Sequence, residues 1–158
     1  KSWSATSLLM IIISHRGNVS GSDPENENKP EYILKTLNEF DCEVDLWCIN
    51  NNLYLGHDKP QYPIGDDFLK NEGLWVHAKN IDALNYLNGK KINYFWHQND
   101  KATLTSKGYI WCYPGVYCKN GITVEPGYNI KIHNDLSELN IGGICTDYPL
   151  DYYKEYID

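Results

Sequence analysis

Apolar residues in this chain gather in short runs broken by Gly, Asn, Asp and Pro, and the runs switch between two periods. MIIIS (10–14) is a continuous apolar run of strand length. PEYILKTLNEF (30–40) moves to helical spacing, with Pro30 at its start and Ile33, Leu34 and Leu37 on one face. DCEVDLWCI (41–49) predicts a strand, NNN (50–52) a turn, and LYLGHD (53–58) a short return strand. DDFLKNEG (66–73) predicts a short helix ending at Gly73, LWVHAK (74–79) a strand, and NIDALNYLNGK (80–90) a helix with Asn80 as N-cap and Gly89 as stop. INYFWH (92–97), GYIWCYP (108–114), GITVEP (121–126), NIKIH (129–133) and GGICTD (142–147) read as further strands, and DLSELN (135–140) as a turn or two of helix.

Strands separated by short helices imply a parallel sheet. The order predicts an α/β protein, a compact (β/α)8 TIM-like barrel with shortened or missing helices. Such barrels usually need at least about 200 residues, so in a chain of 158 several crossovers have to be loops or single turns. An open doubly wound sheet is also compatible with the pattern alone. The length favours one domain, over residues 10–158. Residues 1–9, KSWSATSLL, precede the only methionine, Met10. They read either as a vector-derived or upstream extension or as an authentic N-terminal segment.

A net charge of −7 should repel nucleic acid and anionic membranes. No apolar run approaches the roughly 20 residues that span a bilayer. The longest, LLMIII (8–13), runs on through Ser14 to His15 and is no cleavable signal. Five cysteines without a secretion signal predict reduced thiols and a cytoplasmic location. Cys112 and Cys118 are too far apart for a CxxC motif, which argues against a cysteine zinc site.

Of the five histidines, His15, His77 and His97 end strand-like runs and His57 ends the return strand. In a parallel barrel all strand C-termini face one side, where the site is built. Alternation along CEVDLW puts Glu43, Asp45 and Trp47 on one face and Cys42, Val44 and Leu46 on the other. The apolar set belongs against outer helices, so both carboxylates point inward. Two inward carboxylates repel and are costly to bury unpaired. A divalent cation, Mg²⁺ or Ca²⁺ for oxygen ligands, resolves this; a salt bridge to Arg16 or Lys79 is the alternative. The same parity turns His77 and Lys79 inward, and Glu125 in TVEP is a further inward candidate.

The ordered set HRG (15–17), PEN (24–26), EVD (43–45), GHD (56–58), a strand ending in Lys79, and TDYP (146–149) resembles the glycerophosphodiester phosphodiesterases. It also resembles their relatives, the phosphatidylinositol phospholipase C-like phosphodiesterases and sphingomyelinase D. The resemblance spans residues 10–150 and rests on motif order, each motif being short. It implies a phosphodiester hydrolase of lipid metabolism, with His15 and His57 as the acid–base pair and Glu43 and Asp45 as metal ligands. Arg16 and Lys79 would bind substrate, with Glu25 and Asn26 supporting the phosphate. The nucleophile in that family is often the substrate's own neighbouring hydroxyl, giving a cyclic phosphate. Where the family carries Glu-x-Lys or Asp-x-Lys, this chain reads His77-Ala78-Lys79. His77 as third ligand would shift the metal toward Mn²⁺, Zn²⁺ or Fe²⁺.

The expected partner is therefore a small-molecule or lipid-headgroup phosphodiester. A degenerate barrel that only binds phosphate or a headgroup is the alternative, favoured by His77 and the short length. A third reading is an assembly protein or homo-oligomer, in which a second chain covers strand faces left bare by short helices.

Overall fold

The computed structural model describes residues 10–129 and 140–157. Its elements are β1 (Ile11–His15), α1 (Pro30–Thr36), β2 (Asp41–Ile49), β3 (Asn52–Leu55), β4 (Tyr62–Ile64), a 3-10 turn (Asp66–Lys70), β5 (Leu74–Ala78), α2 (Ile81–Leu87), β6 (Asn93–Phe95), β7 (Ala102–Leu104), β8 (Ile110–Cys112), β9 (Ile122–Val124), β10 (Gly143–Thr146) and α3 (Pro149–Ile157). Strands β6, β5, β2, β1, β10, β9 and β8 lie side by side in that order, all parallel. Their C-terminal ends therefore share one face, the mouth.

The sheet curls around a set of inward side chains. Ile13, Trp75, Phe95, Trp111, Ile122 and Cys145 form one buried cluster drawn from β1, β5, β6, β8, β9 and β10. Phe95 stacks on Trp111 at 4.5 Å between centroids, and Trp75 lies 5.7 Å from Trp111. Among the described residues no strand ladder joins β6 to β8; Ser106, in the turn before β8, donates its N–H to the Tyr94 carbonyl of β6 at 2.7 Å, and the inward side chains pack across the gap. The observed architecture is a curled, largely parallel sheet with few helices. The expected NIKIH strand and DLSELN helix fall on 130–139, outside the described residues.

The outer face follows from parity. Cys42, Val44 and Leu46 of β2 pack with Val76 and Ala78 of β5, Ile33 of α1, and Ala83 and Leu87 of α2. Each large apolar side chain so buried contributes about 1.5–3 kcal/mol. The helices form where expected but are shorter. Pro30 opens α1, and Asn80 caps α2 by accepting from the Ala83 amide at 3.0 Å. Leu34, expected on the buried face of α1, is 43% exposed, because one short helix covers only a narrow stripe and Ile33 takes it. Helix α3, not expected from the sequence, covers β1 and β10 through Tyr152, which packs with Ile12 and Ile144.

One departure from simple βα alternation matters for the site. Strand β2 outruns its neighbours, and its last residues pair with β3 in an antiparallel hairpin. Asn50 and Asn51 both take positive φ, 50° and 66°, as a two-residue hairpin turn requires. The hairpin carries the chain back over the mouth and delivers Gly56 and His57 there.

Candidate functional site

The HRG turn follows β1 directly. Arg16 sits at φ 61° and Gly17 at φ 96°, left-handed conformations that turn the chain sharply off the strand. A side chain at Gly17 would also meet the Tyr32 ring at 2.6 Å. The turn is tied down by Arg16 N donating to the Glu43 carbonyl at 3.0 Å and by Thr36 Oγ1 donating to the Gly17 carbonyl at 2.7 Å. A non-glycine residue held there costs about 1–3 kcal/mol, a strain that collects at functional sites.

His57 is placed by Gly56. Any Cβ at Gly56 would lie 2.0 Å from the Lys59 carbonyl oxygen, so the close approach demands glycine. Trp47 Nε1 donates to the Gly56 carbonyl at 2.7 Å and Gly56 N to the Asp45 carbonyl at 3.1 Å. Arg16 Nη2 lies 3.2 Å from His57 Nε2. A guanidinium only donates, so Nε2 accepts. The other ring nitrogen, Nδ1, faces Asp45 Oδ2 at 3.6 Å.

Glu43 and Asp45 both point inward, as alternation requires, and are 4% and 1% exposed. His77 joins them from β5, whose register places His77 beside Asp45. Its Nε2 donates to the His97 carbonyl at 2.9 Å, and its ring stacks on Phe95 at 5.0 Å. Because Nε2 is the donor, Nδ1 of the neutral ring carries a lone pair. That atom stands 3.3 Å from Asp45 Oδ1 and 3.8 Å from Glu43 Oε2. One ligand atom from each of these three residues lies within 4.8 Å of the others. Three acceptors converge there, and Glu43 Oε1 is buried without a hydrogen-bond partner. These three residues could hold a metal ion.

Electrostatics splits the carboxylate pair. Burial pushes the Glu43 carboxyl well above the usual range, and the adjacent Asp45 charge adds to it. At Asp45 burial pushes upward too, but the hydrogen bond from His57, those that His77 adds when its ring is protonated, and the charge of Arg16 outweigh it and hold the carboxyl well below. Asn28 clamps Asp45 at two points: Asn28 Nδ2 donates to Oδ2 at 2.9 Å, and Asp45 N donates to Asn28 Oδ1 at 3.0 Å. Arg16 Nε lies 3.4 Å from the same Oδ2. Lys79 follows β5 at the mouth, where its charge acts on Glu43.

His15 turns to the opposite wall. Its Nδ1 donates to Asp147 Oδ1 at 2.8 Å, which leaves Nε2 as the free ring atom. Asn18 Nδ2 donates to the same oxygen at 2.8 Å and to Glu27 Oε2 at 3.1 Å. Glu27 Oε1 in turn accepts from Arg16 Nη1 at 3.1 Å. One network thus runs from Asp147 through Asn18 and Glu27 to Arg16 and His57. Burial pushes the Asp147 carboxyl up, but the hydrogen bond and charge of His15, Asn18 and Arg16 outweigh it and the carboxyl lies low.

His15, Arg16, Glu43, Asp45, His57, His77 and Lys79 all reach the mouth. Two expectations are corrected. Glu25 is exposed and Asn26 bonds Asp23 at 2.8 Å; the second Glu-Asn of PENEN, Glu27 and Asn28, meets Arg16 and Asp45 instead. The loop needs two more residues before it returns to the strand ends, and the repeated dipeptide concealed that shift. Glu125 points away, since Ile122 and Val124 take the inward positions of β9 and the Glu125 charge acts on Tyr117 and on Tyr152 of α3. His97 contributes its backbone carbonyl rather than its ring, whose Nε2 donates to the Asp100 carbonyl at 2.6 Å. Asn18 and Asp147 were missed as site residues; TDYP was the signal for Asp147.

No helix among the described residues is long and apolar enough to cross a membrane. No protein-family model and no curated protein matches the chain. Among solved structures it is similar to the crystal structure of glycerophosphodiester phosphodiesterase from Agrobacterium tumefaciens str. C58, with a TM-score of 0.59 and 13% sequence identity over 94% of this chain and 100% of that one. The curled α/β sheet that gathers these residues thus resembles the fold of that glycerophosphodiester phosphodiesterase.

Proposed function

We propose that the chain is a metal-dependent phosphodiester hydrolase of the glycerophosphodiester phosphodiesterase type, built on a (β/α)8 frame with reduced helices. The observation that carries this reading is the convergence of three lone-pair atoms from Glu43, Asp45 and His77, flanked by His15 on one side and by His57 and Arg16 on the other. The three residues fit a divalent ion. Two carboxylates suit Mg²⁺ or Ca²⁺, and the imidazole extends the range to Mn²⁺ and Zn²⁺. When bound, the ion would neutralise the non-bridging phosphate oxygens and polarise phosphorus.

The chain's own residues supply the rest. Arg16 and Lys79 bind the phosphodiester oxygens. Arg16 Nη2 holds the His57 lone pair at 3.2 Å, so turning toward the phosphate frees Nε2 to take a proton from the attacking hydroxyl. On the other wall Asp147 fixes the proton of His15 on Nδ1, and Nε2 of the protonated ring delivers a proton to the leaving alkoxide. Proton transfer by such a group is worth about 10²–10⁴-fold. Asn28 and Glu27 act as positioning residues for Asp45 and Arg16.

The test is turnover of bis(p-nitrophenyl) phosphate and of glycerophosphodiesters by EDTA-stripped protein, reconstituted in turn with Mg²⁺, Ca²⁺, Mn²⁺ and Zn²⁺. Metal-dependent turnover, lost in Asp45→Asn, is expected. Phosphodiester binding without turnover under every metal would replace this reading by the non-catalytic binding module, which His77 in place of a carboxylate favours.

A further inference from the structure

The face opposite the mouth holds a second concavity. The N-terminal ends of β5 and β6 stand beside the turn that precedes β8, where Ser106 Oγ donates to the Ile92 carbonyl at 2.8 Å and accepts from Tyr94 N at 2.9 Å. Between the 3-10 turn, the segment from Tyr86 to Asn93 and Lys107 a cleft of about 820 Å³ opens. That volume lies within the usual range of small-molecule sites, about 300–1,000 Å³.

Its charge runs against the rest of the molecule. Lys70, Lys90, Lys91 and Lys107 line it against two carboxylates, Asp66 and Glu72, in a chain of net charge −7. Asp66 is engaged by the Tyr86 hydroxyl. Lys70 is paired with Asp67 at 3.0 Å, and Lys90 donates to the Tyr86 carbonyl at 2.7 Å. Lys91 and Lys107 have no ion-pair or hydrogen-bond partner among the described residues. The remaining wall is apolar, from Leu69, Leu74 and Ile92.

We propose that this cleft binds a small organic phosphate. Lys91 and Lys107 take the phosphate oxygens, and the apolar wall covers the carbon skeleton. The site is separate from the mouth. Strand β5 offers Leu74 to the cleft and His77 to the mouth, about 10 Å apart at 3.3 Å per residue.

Isothermal titration of ribose 5-phosphate and of orthophosphate into the whole chain, with EDTA present, tests this. Ribose 5-phosphate should bind more tightly than orthophosphate, and more weakly as salt rises. Lys91→Glu/Lys107→Glu exchanges exposed residues and should weaken binding by about tenfold or more, with phosphodiester turnover and the melting temperature unchanged. Arg16→Gln, which removes an anion contact at the mouth, should leave binding intact. Binding lost in Arg16→Gln but kept in the lysine variant would place the phosphate at the mouth and overturn the proposal. So would equal affinity in wild type and the lysine variant, or no binding to wild type below ~10 mM. Absent turnover in wild type would count against the proposed hydrolase alone.

Discussion

His77→Ala separates a metal ligand from a packing residue, because the structure assigns each role a different readout. The ring is fixed by Nε2 donating to the His97 carbonyl at 2.9 Å and by stacking on Phe95 at 5.0 Å. Alanine removes one hydrogen bond, about 1 kcal/mol, and one aromatic contact, about 0.5–1.5 kcal/mol. The metal-free variant should therefore lose roughly 1.5–2.5 kcal/mol, which is ~3–10 °C for a domain of this size. Metal-induced stabilisation is a separate quantity. At a metal concentration of 100 times Kd the wild type gains about 2.7 kcal/mol, or ~5–11 °C. If losing Nδ1 raises Kd about 100-fold, the same concentration stabilises the variant by only about 0.4 kcal/mol, near 1 °C. His77→Glu should recover the shift with Mg²⁺ or Ca²⁺ in preference to Zn²⁺. Thermal melts of wild type and both variants, in EDTA and in each metal, supply the comparison. A metal-induced shift in His77→Ala as large as in wild type would refute the ligand assignment and leave His77 as a packing residue.

His15→Ala and His57→Ala should each reduce turnover by about 10²–10⁴-fold, whereas His97→Ala, whose carbonyl rather than ring serves the site, should reduce it far less; comparable losses at all three would mean the histidines act through folding. Asp147→Asn should lower kcat and displace its pH profile, because an amide no longer fixes the His15 proton on Nδ1; an unchanged profile would sink the positioning role. The Asp147 carboxyl is held low in the folded state, so its contribution to stability is present above the ordinary Asp range near 3.9 and is lost as pH falls through the folded value. Acid denaturation followed by circular dichroism should accordingly show a shallower acid limb in Asp147→Asn. Of the five cysteines only Cys118 is partly exposed, and Cys112 is pushed up to about 12 by burial and by its Cys118 neighbour, so a thiol reagent at neutral pH should label Cys118 alone in the native state, as peptide mapping would show.

The sequence by itself determined what repeats locally. Apolar runs marked most strands, Asn80 and Pro30 marked helix starts, and alternation along CEVDLW sent Glu43 and Asp45 to one face, because side-chain direction in a strand is a property of the backbone. Motif order placed His15, Arg16 and His57 in the same site. Other features needed the tertiary structure. Whether Glu25 or Glu27 meets Arg16 depends on how far the loop travels before it returns to the strand ends, and the two Glu-Asn pairs are locally equivalent. The Asp147 link to His15 joins positions 132 apart, and only the pairing of β1 with β10 brings them together. The lone pair on His77 Nδ1 follows from the His97 carbonyl across the β5–β6 pair, and no local pattern encodes it. Glu125 looked inward from its own segment and points outward because Ile122 and Val124 took the core side of β9. The cleft at the far face gathers the 3-10 turn, the end of α2 and Lys107, segments apart in sequence that only the packing of the strands brings together, and no local pattern contains that relation.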